Sequence, residues 1–408
     1  MDLHFSPRQV ELIELVAALG RDRFAPRAAA HDRDAVFPRD NYDDLRRAGL
    51  LELCVPRSHG GMGVDLATYA LVAAEMGRYC GATALTFNMH SMAMMYSGRL
   101  ADTLDMSDEE RARHGERRAE HFRRVVENGA IWSQPFSEGN ASNVGAAPFG
   151  VKAVAVDGGW LVSGRKIFAS LAGAADYYGV LVTEHRSDSE PRRRDTLYLA
   201  IHKDTPGLRI VGDWDPLGMR ATSSYDLVFD QCFVPDSEQL LPRGLYMHMV
   251  RRWPHVFMTL CPSYMGIARA AYDFTVRYLR GEVPGIPPVV RRMYPTKQIA
   301  VARMRIALEQ AEALFLRAFA EARPDPDKGE RLRILAAQYT VMEHCNDICR
   351  LAIRTCGGQS IRRALPLERY YRDSRCGSLM LPLTAEICLD RLGKESLYEP
   401  GESDEIAD

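Results

Sequence analysis

Apolar residues recur at helical spacing near the start of the chain, where Leu12, Leu15, Val16 and Leu19 follow the cap-like pair Ser6-Pro7. A second helix is predicted to open at Asn41-Tyr42 and to stop near Val55-Pro56. The glycine-rich stretch Arg57-Ser58-His59-Gly60-Gly61-Met62-Gly63 reads as a loop, and helical runs follow over residues 66–77 and 83–96, the latter rich in Met and Ala. Ser107-Asp108-Glu109-Glu110 sets a capping hydroxyl and early acids ahead of a strongly charged helix that runs to about Asn128. Near Ala130 the period changes. Short apolar runs at 151–156, 160–162, 178–183, 197–201, 208–211 and 227–234 alternate with turn signals, and Asp157-Gly158 between two of them predicts a hairpin. The charge-crowded run 186–194 is read as an exposed loop. From about Leu240 long helical runs return, over 261–279, 296–322 and 329–352, enough to pack as a bundle. The pattern therefore predicts an α+β chain of several domains: helices over 1–128, a β domain over 129–239, a helical bundle over 240–400, and an acidic, disordered tail over 401–408.

Composition narrows the function without naming it. A length of 408 residues with 46% hydrophobic and 26% charged residues suits two or three modules around a large core. A formal net charge of −2 supplies no basic field for nucleic acid or an anionic membrane, so any phosphate-bearing ligand must be held by local features. The N-terminus is amphipathic with early acids, which is not the pattern of a secretory signal, and no apolar run has the length of a membrane span. Nine scattered cysteines predict reduced thiols and a cytoplasmic setting. His344, Cys345, Cys349 and Cys356 form the one local group with metal-ligand chemistry. Cys345 and Cys349 would share a helix face, but the spacings are wider than zinc sites use, so core packing and no bound metal are expected.

A series of local sequences resembles the acyl-CoA dehydrogenase family in order and over most of the chain. Val55-Pro56 with Gly60-Gly61-Met62-Gly63 is similar to that family's P-x-x-x-G-G-x-G, and Ser137-Glu138-Gly139-Asn140-Ala141-Ser142 to a shortened T-E-P-x-A-G-S-D. Gly164-Arg165-Lys166-Ile167-Phe168-Ala169-Ser170 with Ala175-Asp176 resembles G-x-K-x-W-I-T/S followed by A-D. Leu217-Gly218-Met219-Arg220-Ala221, Phe229 with Val234-Pro235, Gly357-Gly358, Pro366-Leu367-Glu368-Arg369 and Arg372-Asp373 continue the likeness. The resemblance implies an acyl-CoA dehydrogenase-like fold: an N-terminal α-helical domain, a β-barrel-like middle domain and a C-terminal four-helix bundle, associated as a homodimer or homotetramer. It also implies a flavin, FAD before FMN or a loosely held reduced flavin. Ser137 and Ser142 would offer donors to it, Phe168 stands where the family packs a tryptophan on the ring, and Ser170 where it has a flavin-contacting Thr or Ser. Gly357, Gly358 and Thr384 fall in the remaining cofactor-contact motifs.

Two departures stand out. The family's catalytic glutamate follows the R-D pair, but here residues 376–384 hold no acid, and anchoring on Thr384 puts Pro382 in its place. Glu386 lies one turn beyond Pro382, and a base carried on the helix holding Gly266 would fall near Val256, beside His255. A histidine serves as a base near neutral pH, which makes His255 the candidate catalytic residue. In place of R-x-x-F-G, a phosphate contact in the family, stands Arg280-Gly281-Glu282-Val283-Pro284-Gly285-Ile286-Pro287-Pro288, leaving Arg291, Arg292 or Lys297 as stand-ins. The family implies α,β-dehydrogenation of an acyl-CoA or carrier-protein thioester with a separate electron acceptor. The alternative on the same fold is a mono- or dioxygenase that works through a flavin–oxygen adduct, needs no such base and is fed by a flavin reductase. A non-catalytic assembly partner is a third reading.

Overall fold

The computed structural model describes residues 5–139, 147–186, 189–286, 291–399 and 402. The first segment is helical: α1 (Pro7–Leu19), α2 (Ala25–Asp34), α3 (Arg39–Arg47), α4 (Leu66–Tyr79), α5 (Gly81–Met95) and α6 (Asp108–Asn128). Both expected starts are capping boxes. Ser6 accepts from the Gln9 amide while the Gln9 side chain caps the Ser6 N–H, and Ser107 and Glu110 repeat this at α6. Helix α3 starts at Arg39, earlier than its sequence suggested, because Pro38 precedes it; Asn41 is fully buried and donates to Thr83 Oγ1 at 2.9 Å.

Strands β1 (Trp132–Ser133), β2 (Lys152–Val156), β3 (Gly159–Ala169), β4 (Tyr177–Glu184), β5 (Thr196–His202), β6 (Leu208–Val211), β7 (Tyr225–Pro235) and β8 (Gln239–Leu241) follow. They form one sheet in the order β6-β7-β3-β2-β4-β5-β8, with β1 paired to β4. The Asp157-Gly158 hairpin joins β2 to β3, with Gly158 in the left-handed region at φ 74°. The pairing of β3 with β7 slips between Lys166 and Ala169, and within that bulge Phe168 takes φ 51°. A bulge re-aims its side chain. Lys166 is therefore fully buried, whereas Phe168, two residues on, is 63% exposed.

The last segment holds α7 (Leu245–Arg252), α8 (Cys261–Leu279), α9 (Pro295–Ala320), α10 (Lys328–Cys356), α11 (Leu367–Gly377) and α12 (Ala385–Leu397). Helices α8, α9 and α10 pack on one another, with α11 and α12 against α10. Helix α4 of the first segment also lies on α8. The two backbones meet at glycines: a Cβ on Gly77 would stand 2.5 Å from Ser263 O, and one on Gly266 would stand 2.2 Å from Ala74 O. Buried Cys345 and Cys349 belong to this core, and among the described residues no group of three or more His, Cys, Asp or Glu side chains is arranged to hold a metal. No helix among them is long and apolar enough to cross a membrane.

Ionic contacts lock the three segments together. Arg372 on α11 grips the Asp32 carboxylate at the end of α2 with two bonds of 2.5 and 3.0 Å, and it also pairs with Glu368. Arg220, from the loop before β7, donates through Nε to the carbonyl of the same Asp32 at 3.0 Å. Beside them buried Asp373 accepts from the Met219 N–H at 2.6 Å, and burial pushes its carboxyl up to about 6.

Candidate active site

Where the three segments meet lies a cavity of about 410 Å³. Helix α5 contributes Leu85, Asn88 and Met89 to its wall. The sheet segment contributes Gln134, Ser137, Ile167, Phe168 and Ser170, and the loop before β7 adds Trp214, Gly218, Met219, Thr222 and Ser224. From the last segment come Tyr246, the turn 256–260 and the stretch Leu379-Met380-Leu381-Pro382. Gly218 lets the loop reach this position: a Cβ there would fall 2.3 Å from Arg372 O.

A line of hydroxyls runs along the wall from the sheet. Ser170 and Ser224 share a hydrogen bond of 2.8 Å, Ser224 and Thr222 one of 2.7 Å, and Thr222 donates to Met219 O at 2.9 Å. Next to it Phe168 meets Trp214 edge to face, with ring centroids 6.3 Å apart. A large aromatic ring held out of the core in a left-handed backbone, beside a row of small hydroxyls, fits a flat heteroaromatic cofactor with hydrogen-bonding edges. The residues present therefore suit a flavin.

Among the described residues one carboxylate touches the cavity, Glu138, and it is fully engaged. Its Oε1 accepts from buried Lys166 Nζ at 2.6 Å and from Val151 N at 3.1 Å, and its Oε2 accepts from Gly150 N at 2.6 Å. Burial lowers the Lys166 ammonium to about 8 even with the carboxylate opposing that shift. Cys376 also lines the wall, but burial pushes its thiol up to about 12, so it is no ready nucleophile.

Of the residues singled out in the sequence, Ser137, Phe168 and Ser170 line the cavity, as does Pro382, the residue that the resemblance aligned with the missing acid. Ser142 lies outside the described residues. His255 does not line the cavity, although its neighbour Val256 does. In the short 3-10 turn Pro254–Met258 the imidazole turns inward, its Nδ1 without a partner, and burial drops it to about 4 against the opposing pull of Glu330 and Glu321. Glu386 sits exposed on the first turn of α12. Thr384 caps α12, accepting from the Ile387 N–H at 3.3 Å, and Gly357 and Gly358 close α10, where an added Cβ on either would meet nothing within 4 Å. Of the cationic stand-ins, Lys297 donates to Thr355 O, Arg291 lies over the Tyr278 ring and Arg292 is exposed. Sequence reasoning missed Asn88, Tyr96, Gln134, Tyr246 and Thr259 in the wall. For Asn88 the available signal was the one amide side chain in a helical run made mostly of Ala, Met and Leu with a few small hydroxyls and His90.

A helical, a sheet and a second helical segment closing on a largely apolar cavity define a flavoenzyme of acyl-CoA dehydrogenase architecture. Family models for the acyl-CoA dehydrogenase N-terminal domain match residues 6–100, for the middle domain residues 138–232, and for the C-terminal domain residues 258–379. The chain is 31% identical over 373 residues to a putative acyl-CoA dehydrogenase, YdbM, of Bacillus subtilis, covering 87% of this chain and 89% of that protein. It is 29% identical to an L-evernosamine nitrososynthase of a Micromonospora species, covering 96% and 91%. A solved structure of KijD3 in complex with FMN and dTDP-3-amino-2,3,6-trideoxy-4-keto-3-methyl-D-glucose superposes with a TM-score of 0.81 at 26% identity, covering 97% of this chain and 95% of that one. The protein belongs to the acyl-CoA dehydrogenase family and is a flavin-dependent oxidoreductase.

Proposed function

We propose that this flavoenzyme is a monooxygenase, transferring oxygen to an organic substrate instead of removing hydrogens from an acyl thioester. One observation carries the reading: among the described residues, no carboxylate lining the cavity is free to take a proton. Glu138 is tied by Lys166 and two backbone N–H groups, and Leu381 and Pro382, which the resemblance aligns with the family's base, line the wall without offering an acid. Thioester dehydrogenation needs a base within about 3 Å of an α-proton. Oxygen insertion places no such demand on the protein. The likeness to a nitrososynthase and to KijD3 over nearly the whole chain supports the same direction.

The chemistry supplied at this site by a bound reduced flavin would be the two electrons that activate dioxygen, one of whose atoms goes to the substrate while the other leaves as water. The chain's own residues bind, orient and shield. Ser170, Ser224 and Thr222 offer a hydrogen-bonded row to the cofactor's polar edge, and Phe168 with Trp214 packs its apolar part. Leu85, Met89, Phe257, Leu260, Leu379 and Met380 keep water from the reacting atoms. A flavin reductase is the partner this chemistry calls for.

The test has two arms. Anaerobic mixing of the flavin-loaded protein with acyl-CoAs of graded length is expected to leave the absorbance of oxidised flavin unbleached. Mixing the protein with reduced FMN and then oxygen is expected to release hydrogen peroxide more slowly than free reduced FMN does. Bleaching by a thioester, with peroxide release as fast as from the free flavin, would return the protein to the dehydrogenases.

A further inference from the structure

The polar side chains facing the cavity from α5 and the turn 256–260 are arranged to accept a hydrogen bond, not to give one. Asn88, 3% exposed, donates through Nδ2 to the Tyr69 hydroxyl at 2.8 Å and to the Thr259 carbonyl at 2.9 Å. The second partner is a carbonyl, which only the amide nitrogen can address, so the orientation of the side chain is fixed. The neighbouring hydroxyls, that of Tyr69, which does not line the cavity, and that of Thr259, which does, are likewise spent on the protein itself. The Tyr69 hydroxyl donates to Thr259 O at 3.3 Å, and the Thr259 hydroxyl donates to Val256 O at 3.0 Å while bonding to Tyr96. What remains for a ligand is the Asn88 carbonyl oxygen, which has no partner among the described residues. Gln134 and Tyr246 also line the cavity and can serve in either role, so they do not select.

The rest of the wall completes the chemistry. Leu85, Met89, Ile167, Val256, Leu260 and Leu381 are apolar, and no lysine or arginine is among the described lining residues. The one charged group, Glu138, is neutralised by Lys166. An anion entering this space would lose its hydration with no cation to replace it. We infer that the substrate is a neutral, largely apolar, ring-sized molecule bearing one N–H or O–H group, which the Asn88 carbonyl accepts and thereby orients. This rests on the monooxygenase reading of the cavity, but its test is equilibrium binding and involves no turnover.

Three bicyclic probes decide it on the unaltered flavin-loaded protein, read from the shift in the absorbance of bound oxidised flavin. Indole carries an N–H, benzofuran is close to it in size and carries none, and indole-3-carboxylate adds a charge. A ring without a donor leaves the Asn88 oxygen desolvated and unpaired, so indole is expected to bind about 10-fold or more tightly than benzofuran. The carboxylate is expected to bind more weakly than indole. Asn88→Leu is expected to bring indole down to the level of benzofuran. Equal binding of indole and benzofuran, tighter binding of the carboxylate, or no binding of any ring would overturn the inference. None of these results depends on whether thioesters bleach the flavin, so the two readings fail separately.

Discussion

Lys166→Met would expose how much of the middle segment hangs on one ion pair. The Lys166 and Glu138 side chains are 0% and 3% exposed and lie 2.6 Å apart. Methionine roughly preserves the volume of lysine and removes its charge. The carboxylate that stays behind retains only the N–H groups of Gly150 and Val151. Breaking a buried pair from one side costs about 3–5 kcal/mol, and two surviving backbone donors place this case at the lower end, near ~3 kcal/mol. That is a large share of the roughly 5–15 kcal/mol that holds a domain together. The reciprocal change, Glu138→Gln, strands a lysine whose proton already leaves at about 8 with the carboxylate attracting it. Without that attraction the proton leaves at lower pH still, and a neutral amine limits the cost. A lysine whose folded pKa lies below its unfolded value penalises the fold in its charged form. The penalty is complete below the folded pKa and fades as pH rises towards about 10.5. Urea denaturation followed by circular dichroism should therefore show Lys166→Met destabilised by ~3 kcal/mol at neutral pH and Glu138→Gln by less. The gap between Glu138→Gln and wild type should narrow between pH 7 and 9. A Lys166→Met protein within about 1 kcal/mol of wild type, or a Glu138→Gln deficit that ignores pH, would refute this account.

Asp373→Asn keeps an acceptor for the Met219 N–H and removes a carboxyl that burial holds at about 6. A raised carboxyl pKa costs the fold its stability as pH climbs from about 4 through 6, so urea midpoints should coincide near pH 4 and favour the variant by up to ~3 kcal/mol at pH 7. Phe168→Ala should weaken flavin binding by about 10-fold, read by quenching of flavin fluorescence, and an unchanged affinity would separate this ring from the cofactor. Gly266→Ala drives a methyl group into Ala74 O and should lower stability by ~1–3 kcal/mol in a denaturation series. His255→Ala should leave the pH profile of flavin reoxidation unmoved, because the buried imidazole does not line the cavity; a shifted profile would bring His255 back as a base.

The segment pattern was legible because its signals are local. Ser6 and Ser107 with their partners three residues on set helix starts, and Asp157-Gly158 needs nothing beyond its own turn to make a hairpin. The missing acid was equally plain, since a carboxylate absent from 376–384 cannot be supplied by folding. What stayed hidden depends on neighbours far along the chain. Glu138 stood in the sequence only as one letter of a motif, and its pairing with Lys166 emerges only when β3 brings the two together. The exposure of Phe168 follows from a register slip against β7, which no motif announces. His255 and Val256 are adjacent, and a tight turn decides which of them reaches the cavity. Asn88 went unnoticed because α5 is buried on nearly every side, so no polar stripe marks the face that meets a ligand.

The grip of Arg372 on Asp32 joins positions 340 residues apart, and Leu379 to Pro382 close the same cavity from the far end of the chain. Synthesis on the ribosome proceeds from the N-terminus at about 5–20 residues per second. The last strand of the sheet is made only at Leu241, and the last residue of the cavity wall only at Pro382. Capture of the cofactor therefore waits on the C-terminal helices, and a polypeptide stopped before Leu379 would lack one wall of the cavity and is expected never to acquire colour.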